Sequence, residues 1–345
     1  KKPSPKLSWL GCIGLIAAKG ETLFETLMLN LVLWKDGTER WEAGAPSWEE
    51  ELPKEKLREI SAPGNPSALL TVQCRRALLQ KEGQWVTGYV EAAGDYFPKE
   101  DAFCEQMTLW EGIRERDQII GYRPRPHQPS RQMWRDFSTL MGQSVRKPGI
   151  VAWIGLLKAR KKLAKSKMIA FQVAGVKYGN MYCGITDEFS DQLQLYSGLL
   201  DELGHKWQNI IGEEVDRCDQ LAKIVGKLAY KVDKAMGGDG TSAVRGGHEQ
   251  CYYRLDLPFR QWLLTIDPEA KLQDQQGMRR AWRCEAKNIT LVLGRELVDQ
   301  GGTAALIGRT VTEKIKNREE AHYYCAPKAF NQFLYELKQW EGEKR

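Results

Sequence analysis

The segment VAGVKYGNMYCG at residues 173–184 combines glycine, asparagine, lysine and two tyrosines in one tight turn. A plain hairpin needs only an Asn-Gly pair at its turn, so this segment carries more aromatic and backbone-flexible chemistry than a turn requires. Aromatic or small-residue turns supply the wedge that minor-groove binding proteins insert between base steps. The segment is therefore a candidate nucleic-acid contact. The alternative is an ordinary Asn-containing turn with a buried tyrosine.

Basic residues cluster in two other segments. The first interleaves arginines with Tyr122, His127 and Trp134; the arginines are Arg114, Arg116, Arg123, Arg125, Arg131 and Arg135. The second is LKARKKLAKSK, whose basic residues run from Lys158 to Lys167. Lysine and arginine that bind phosphates supply much of the affinity in nucleic-acid complexes. Both segments predict a polyanionic partner, with a solvated basic face that binds no ligand as the alternative.

Motifs for enzymatic chemistry are absent from the sequence. It has no G-x-x-x-x-G-K-[ST] phosphate loop, no G-x-G-x-x-G after a strand, no G-x-S-x-G and no H-E-x-x-H. The glycine-rich GGDGTSAVRGG lacks the Lys-Ser/Thr pair that binds phosphate and magnesium, and we interpret it as a mobile loop between helices. We predict no catalytic residue and no cofactor.

Two H-x-x-C pairs come nearest to a metal site: His248 with Cys251, and His322 with Cys325. The members of each pair are three residues apart, so each pair would share one face of a predicted helix. Two His and two Cys from facing helices would make a tetrahedral zinc site. The alternative is aromatic-rich packing, because tyrosines flank both pairs. We predict packing and no metal.

Composition bounds the class of protein. The chain has 345 residues, 42% of them apolar, which is enough for two domains with separate cores. Its net charge of +6 permits a nucleic-acid partner without requiring one. Eight cysteines without any C-x-x-C pair predict reduced thiols and a cytoplasmic protein. The first apolar run, LSWLGCIGLIAA, is too short to span a bilayer, so we predict no membrane partner.

A helix is predicted close to the start of the chain. Thr22 and Glu25 match a capping box, in which each side chain satisfies a backbone N–H at the helix start. Apolar residues follow at helical spacing: Leu23, Phe24, Leu27, Met28 and Leu31. This pattern predicts that the helix is buried.

The remaining pattern predicts an α+β fold in two domains. Residues 68–95 are predicted to form two strands around a Lys-Glu-Gly turn, and a helix at about 149–163 leads into a strand at about 167–175. Helices are then predicted over residues 191–236, 245–266, 269–300 and 317–341. We therefore predict a mixed domain with small antiparallel sheets over residues 1–190 and an all-α four-helix bundle over residues 191–345.

Four motifs precede the predicted bundle in a fixed order: GETLFETLMLNLV, HQPSRQMWRDFSTLM, KPGIVAWIGLL and VAGVKYGNMYCGITDEFSDQLQL. Together they resemble the CasA family, the large subunit of the type I-E CRISPR Cascade complex. The resemblance extends over nearly the whole chain, which opens well past the N-terminal portion of that family. It implies a non-catalytic subunit whose partners are the other Cascade subunits, the guide RNA, target double-stranded DNA and the helicase-nuclease.

In that family the subunit recognises the protospacer-adjacent motif from the minor groove, drives a hairpin into the duplex and helps to recruit the helicase-nuclease. The resemblance implies that Gly179, Asn180, Met181 and Tyr182 form this hairpin, beside Lys177. Gly179 would let the backbone approach the duplex, and Asn180 would pair with minor-groove acceptors. Met181 and Tyr182 would unstack a base step. Tyr182 stands where family members often carry Gln.

The resemblance also implies a second DNA contact. Arg114 aligns with a lysine that contacts the motif in relatives, and Arg116 is the alternative register. The helices would lie beside the displaced strand, consistent with Arg279 and Arg283 on one helix face. Two other functions stay open at this point. One is a truncated scaffold that docks the helicase-nuclease without reading DNA, and the other is a metal-dependent enzyme built on the H-x-x-C pairs.

Overall fold

Strands and short helices alternate in the first part of the chain, and long helices dominate the second. The computed structural model describes residues 13–35, 39–42, 44–49, 58–98, 100, 102–128, 130–143, 145–164, 166–179, 184–201, 204–268, 272–315 and 318–342. The chain divides into two units, Lys1–Gln208 and Asn209–Arg345. The elements confirm the predicted α+β class, with small antiparallel sheets followed by a helical region.

The first unit contains eleven strands and four helices within its described residues. In chain order they are β1 (Leu15–Lys19), α1 (Leu23–Asn30), β2 (Trp34–Lys35), β3 (Glu39–Arg40), β4 (Arg58–Glu59), α2 (Pro66–Leu70), β5 (Arg75–Glu82), β6 (Trp85–Ala93), β7 (Asp95–Tyr96), β8 (Trp110–Glu115), β9 (Gln118–Pro124), α3 (Phe137–Leu140), α4 (Gly149–Ala159), β10 (Met168–Tyr178) and β11 (Ile185–Tyr196). The chain then enters α5 (His205–Met236). The predicted strand pair over residues 68–95 is confirmed by β5 and β6.

A three-stranded antiparallel sheet in the order β1–β10–β11 organises the first unit. Its inner face buries Ile169, Phe171 and Val173 of β10 together with Leu193 and Leu195 of β11. Their spacing of two is that of a strand with one face in the core. β5–β6 and β8–β9 form separate two-stranded antiparallel ladders.

Helix α4 and strand β10 confirm the predicted helix and strand that lead into the wedge candidate. Ile150, Val151 and Ile154 of α4 are fully buried. The helix ends at Ala159, earlier than predicted, and Lys161 follows with a φ of +57°. A left-handed residue cannot continue a right-handed helix, so the chain turns there toward β10.

Helix α1 begins at Leu23, directly after the predicted cap, and the Thr22 hydroxyl accepts a hydrogen bond of 3.1 Å from the Glu25 N–H. The prediction that its apolar stripe is buried is wrong, because Leu23 is 75% exposed and Leu29 is the buried residue of the helix. The Asn30 amide explains the orientation, since it both accepts from and donates to the backbone of Ala18 on β1. The side that carries Leu29 and Asn30 therefore faces the sheet.

The second unit contains most of α5, then α6 (Thr241–Thr265), α7 (Leu272–Gln300), α8 (Gly302–Ile307), β12 (Arg309–Ile315), β13 (Arg318–Tyr324) and α9 (Ala326–Glu341). Trp262 and Trp282 stack in its core with ring centroids 5.6 Å apart. No helix in the described part of the chain is long and apolar enough to cross a membrane.

Two of the predicted helices begin elsewhere. The first begins at His205, because β11 continues to Tyr196. The last begins at Ala326, because residues 318–324 form β13 of a hairpin inserted between α8 and α9. Proline cannot donate a backbone hydrogen bond and so favours a helix start. Pro327 accordingly lies in the first turn of α9.

The glycine-rich segment interpreted as a mobile loop is helical over most of its length, and this interpretation is wrong. α6 begins at Thr241, after Gly240 with a φ of +81°. A side chain at Gly247 would place its Cβ 3.0 Å from the Ala229 Cβ of α5. The glycine therefore serves the close approach of two helices and not a loop.

Candidate nucleic-acid interface

Strands β10 and β11 form the hairpin that carries the wedge candidate. Its end is closed by the Gly179 N–H, which donates to the Gly184 carbonyl at 3.0 Å. Gly184 has a φ of +105°, a conformation that side chains rarely adopt. Just before the end, the Thr186 hydroxyl donates to the Lys177 carbonyl at 3.0 Å. The Lys177 side chain is exposed, and Gly179 is half-buried.

Three predicted contact residues of this hairpin, Asn180, Met181 and Tyr182, lie outside the described residues. Their roles as base-pairing and wedge residues stay predictions. The hydrogen bond between Gly179 and Gly184 closes the hairpin ladder, and four residues of the sequence lie between these two glycines.

Strands β8 and β9 form a second hairpin, and both predicted arginines lie at its tip. Arg114 is on β8, Arg116 occupies the turn with a φ of +54°, and both side chains are exposed. The ladder shifts register between Ile113 and Arg114. Such irregularities re-aim the side chains that follow them. Within the described residues, neither guanidinium has a carboxylate partner.

Other arginines of the same cluster form ion pairs with nearby carboxylates. Arg123 forms an ion pair with Glu111 across the β8–β9 ladder, with 2.5 Å between Nε and Oε1. Arg125 and Arg131 each approach Oδ1 of Asp136 at 2.6 Å, and Asp136 is 2% exposed. The predicted basic cluster therefore separates into exposed cations at a tip and cations that stabilise the base.

The second basic segment is likewise partly engaged. Lys158 is buried and forms an ion pair with Asp201. Lys167 lies between two carboxylates, at 2.6 Å from Glu21 and 2.8 Å from Glu25. These hydrogen bonds raise the pKa of the Lys167 ammonium group above its usual value. The two ends of the predicted basic stretch therefore hold the fold together.

The arginine pair of α7 is also neutralised. Arg279 Nε lies 2.5 Å and Arg283 NH2 2.7 Å from Oε1 of Glu214, which is completely buried. Arg279 forms a further ion pair with Glu213. These guanidinium groups do not present an open charge to a displaced strand.

The prediction that each H-x-x-C pair shares one helix face is wrong for the second pair. His248 and Cys251 share α6, but His322 is on β13 and Cys325 caps α9, so the second pair is not on one helix face. A Cβ at Gly226 of α5 would lie 2.4 Å from His248 Nε2, which places that ring against α5. No group of three or more metal-ligating side chains occurs within the described residues.

Residues that sequence reasoning missed join the β10–β11 hairpin to the segment that follows β9. The ring of Phe189 on β11 lies 4.7 Å from the ring of His127, which follows β9. Gly14 and Gly175 make room for this contact, because a Cβ at either position would lie under 3.0 Å from Phe189. The sequence alone could not have identified this contact, because the strand register decides which residue lies opposite each glycine.

Both hairpins lie in the first unit of the chain. The family model for CRISPR-associated protein Cse1 matches residues 1–293. The chain belongs to the Cse1 family. This confirms the resemblance to CasA, since one solved Thermus thermophilus relative carries the name CasA (Cse1).

Solved structures show how much of the fold is shared. Thermobifida fusca Cse1 is 26% identical with a TM-score of 0.74, over 97% of this chain and 64% of that one. Thermus thermophilus CasA (Cse1) is 19% identical with a TM-score of 0.63, over 96% of this chain and 64% of that one. A chain of a CRISPR RNA-guided surveillance complex is 15% identical with a TM-score of 0.61, over 97% and 61%. The last two show the fold alone.

This chain spans less than two thirds of the length of these relatives. No curated protein sequence matches the chain. The Cse1 fold and the geometry of the two hairpins are therefore the basis for any functional conclusion.

Proposed function

We propose that this chain is the DNA-recognising portion of a non-catalytic Cascade large subunit, which reads the protospacer-adjacent motif and starts to open the duplex. The observation that carries the proposal is the separation of charge in the arginine-rich segment. Arg114 and Arg116 extend from an exposed tip without a carboxylate partner among the described residues, while Arg125 and Arg131 are engaged by Asp136. Exposed arginines at a narrow tip are suited to a minor groove.

The β10–β11 hairpin would supply the second contact. Lys177 would bind a phosphate, and Asn180, Met181 and Tyr182 would enter the base stack. Unstacking a step costs a few kcal/mol, which additional protein contacts to the bent duplex offset. Sequence specificity beyond the motif would come from guide RNA pairing in the assembled complex. The fold shared with a chain of an RNA-guided surveillance complex supports the other subunits and the guide RNA as partners.

A second candidate function is a docking scaffold for the helicase-nuclease that does not read DNA. The exposed apolar stripe of α1 favours it, because Leu23, Phe24 and Leu27 are 75%, 72% and 56% exposed. Contiguous apolar surface of this kind commonly marks a protein-protein contact. The two candidates differ in whether the hairpin tips contribute to duplex binding.

Duplex affinity within the assembled complex, at two salt concentrations, tests the proposal. The variant Arg114→Ala with Arg116→Ala is expected to lose about 1–3 kcal/mol for each base contact removed. A phosphate contact would instead lower the log-log salt slope by about 1 and weaken all sequences alike. Asn180→Ala with Tyr182→Ala is expected to abolish motif dependence while non-specific binding persists.

A matched control is Arg280→Ala, which removes one exposed arginine of α7 that has no carboxylate partner among the described residues. It is expected to leave motif-dependent affinity unchanged. Unaltered affinity in both hairpin variants, together with intact binding of the helicase-nuclease, would support the scaffold instead.

A further inference from the structure

A buried charge cluster lies where the chain leaves β9. The backbone N–H of Arg125 donates to Leu109 at 2.8 Å and so continues the β8–β9 pairing by one residue. The guanidinium of Arg125 then reaches Asp136, which lies at the end of the 3₁₀ turn Met133–Asp136. Arg131 reaches the same carboxylate oxygen. Asp136 therefore attaches the base of the arginine hairpin to this turn.

The same turn is attached to the other hairpin. The backbone N–H of Met133 donates to Oδ2 of Asp191 on β11 at 2.6 Å. Met133 and Trp134 of the turn are buried, and the hydrogen bond to Asp191 is partly buried. A hydrogen bond to a charged group is stronger than one between neutral groups. The 3₁₀ turn is thus fixed to both hairpins by charge-assisted hydrogen bonds.

An independent apolar contact joins the same two elements. His127 lies two residues past the Arg125 attachment, and its ring packs on Phe189 of β11. Burial lowers the pKa of His127 below its usual value, which favours the neutral form of the packed ring. This contact and the Asp191 hydrogen bond lie on β11 two residues apart, on the same side of the strand.

These attachments lie below both tips and use none of the residues assigned to DNA. Two contacts held at a fixed separation bind one ligand far better than two that move independently, because the second contact then forms at a high effective concentration. A minor-groove contact and a wedge on the same duplex are such a pair.

We propose that Asp136 and Phe189 are positioning residues, which hold the β8–β9 and β10–β11 hairpins at a fixed separation so that both engage one duplex. The inference rests on the proposed function and adds a residue set that touches no DNA. If the inference is right, substituting a positioning residue lowers duplex affinity only when both hairpin tips bind the duplex.

The test is duplex affinity of the assembled complex for two positioning variants, Phe189→Leu and Asp136→Asn. Phe189→Leu changes no charge, and Asp136→Asn weakens the other attachment by removing the negative charge that Arg125 and Arg131 share. Each is measured with native tips, with Arg114→Ala and with Lys177→Ala. We expect a loss of about tenfold in motif-dependent affinity with native tips. We expect less than twofold once either tip is disabled, and no change in non-specific binding.

Equal losses in all three backgrounds would show a purely structural role and would overturn the inference, while the proposed function stood. Absence of any loss for either positioning variant with native tips would also overturn it. If Arg114→Ala and Lys177→Ala themselves leave affinity unchanged, the proposed function fails and the inference fails with it. Thermal unfolding of each variant sets a measuring temperature at which all are folded, and Glu82→Gln, an exposed carboxylate on β5, is the charge control.

Discussion

Two pairs of arginines in this molecule have opposite environments. Arg114 and Arg116 lie at the exposed end of the β8–β9 hairpin without a carboxylate partner among the described residues. Arg279 and Arg283 on α7 share the buried carboxylate of Glu214, and their side chains are 24% and 12% exposed. The first pair is open to a ligand, and the second is part of the core.

The difference shows that an arginine side chain stays available to a ligand when no carboxylate lies close enough to pair with it. Both pairs were candidates for a nucleic-acid contact in the sequence. A buried carboxylate costs several kcal/mol to desolvate, and only paired guanidinium groups recover that cost. Glu214 therefore requires the α7 arginines, whereas nothing in the described fold requires those at the tip.

The largest expected effect comes from removing that acid. Glu214→Ala leaves Arg279 and Arg283 largely buried without their shared counterion, and breaking one partner of a buried pair costs about 3–5 kcal/mol. Urea unfolding followed by tryptophan fluorescence measures the change in the free energy of unfolding. Glu213→Ala is the control, because its side chain is 59% exposed and a surface ion pair contributes about 0–1 kcal/mol. Equal effects of both variants would show that the buried Glu214 stabilises the fold no more than the exposed Glu213 does.

A smaller effect is expected from Glu313 on β12. Its carboxylate accepts hydrogen bonds from Tyr324 at 2.7 Å and Tyr230 at 2.8 Å and lies 3.1 Å from Lys234, which lowers its pKa to about 2. The folded state therefore favours the charged form. This contribution is complete above the ordinary carboxyl pKa of 4.5 and is lost as pH falls toward 2.

Glu313→Gln is accordingly expected to lower the free energy of unfolding at pH 7 by about 1.5–3 kcal/mol. The deficit relative to the native chain should shrink between pH 4.5 and pH 2. Denaturant unfolding across that range measures it, with the exposed Glu319→Gln on the paired strand as control. A deficit of constant size across the range would show that the carboxylate is not the stabilising group.

The sequence predicted the positions of those helices and strands that have strong hydrophobic periodicity or are bounded by glycine and proline. The β5–β6 hairpin, α4, β10 and the long helices form close to where their patterns place them. The β12–β13 hairpin was missed because the charged residues Arg318, Glu319 and Glu320 at the start of β13 also fit the first turn of a solvated helix. The exposed stripe of α1 was missed because periodicity shows that a helix has an apolar face and not what covers it.

For the candidate site, the sequence indicated the arginine-rich segment and the turn that follows β10, but neither the β8–β9 hairpin nor the partition of charge among its arginines. Arg125 and Arg131 differ from Arg114 only through Asp136, whose burial depends on the 3₁₀ turn and on β11. Those contacts join residues distant in sequence, such as Met133 and Asp191. A single sequence contains no local signal for such pairings, so the positioning residues become visible only in the fold.

The smallest expected effect concerns the tip itself and separates backbone strain from charge. Arg116 has a φ of +54°, and this left-handed conformation costs a non-glycine residue about 1–2 kcal/mol. Arg116→Gly relieves the strain, whereas Arg116→Ala keeps it, so thermal unfolding should show the Gly variant to be more stable by up to about 1 kcal/mol.

Both variants lose the same charge and should lose the same duplex affinity. If the more stable Gly variant instead lost less affinity than the Ala variant, Arg116 would have a structural role like that of Arg125 and Arg131. Equal affinity loss at unequal stability would mean that the tip holds an arginine in an unfavourable conformation for a contact outside the fold.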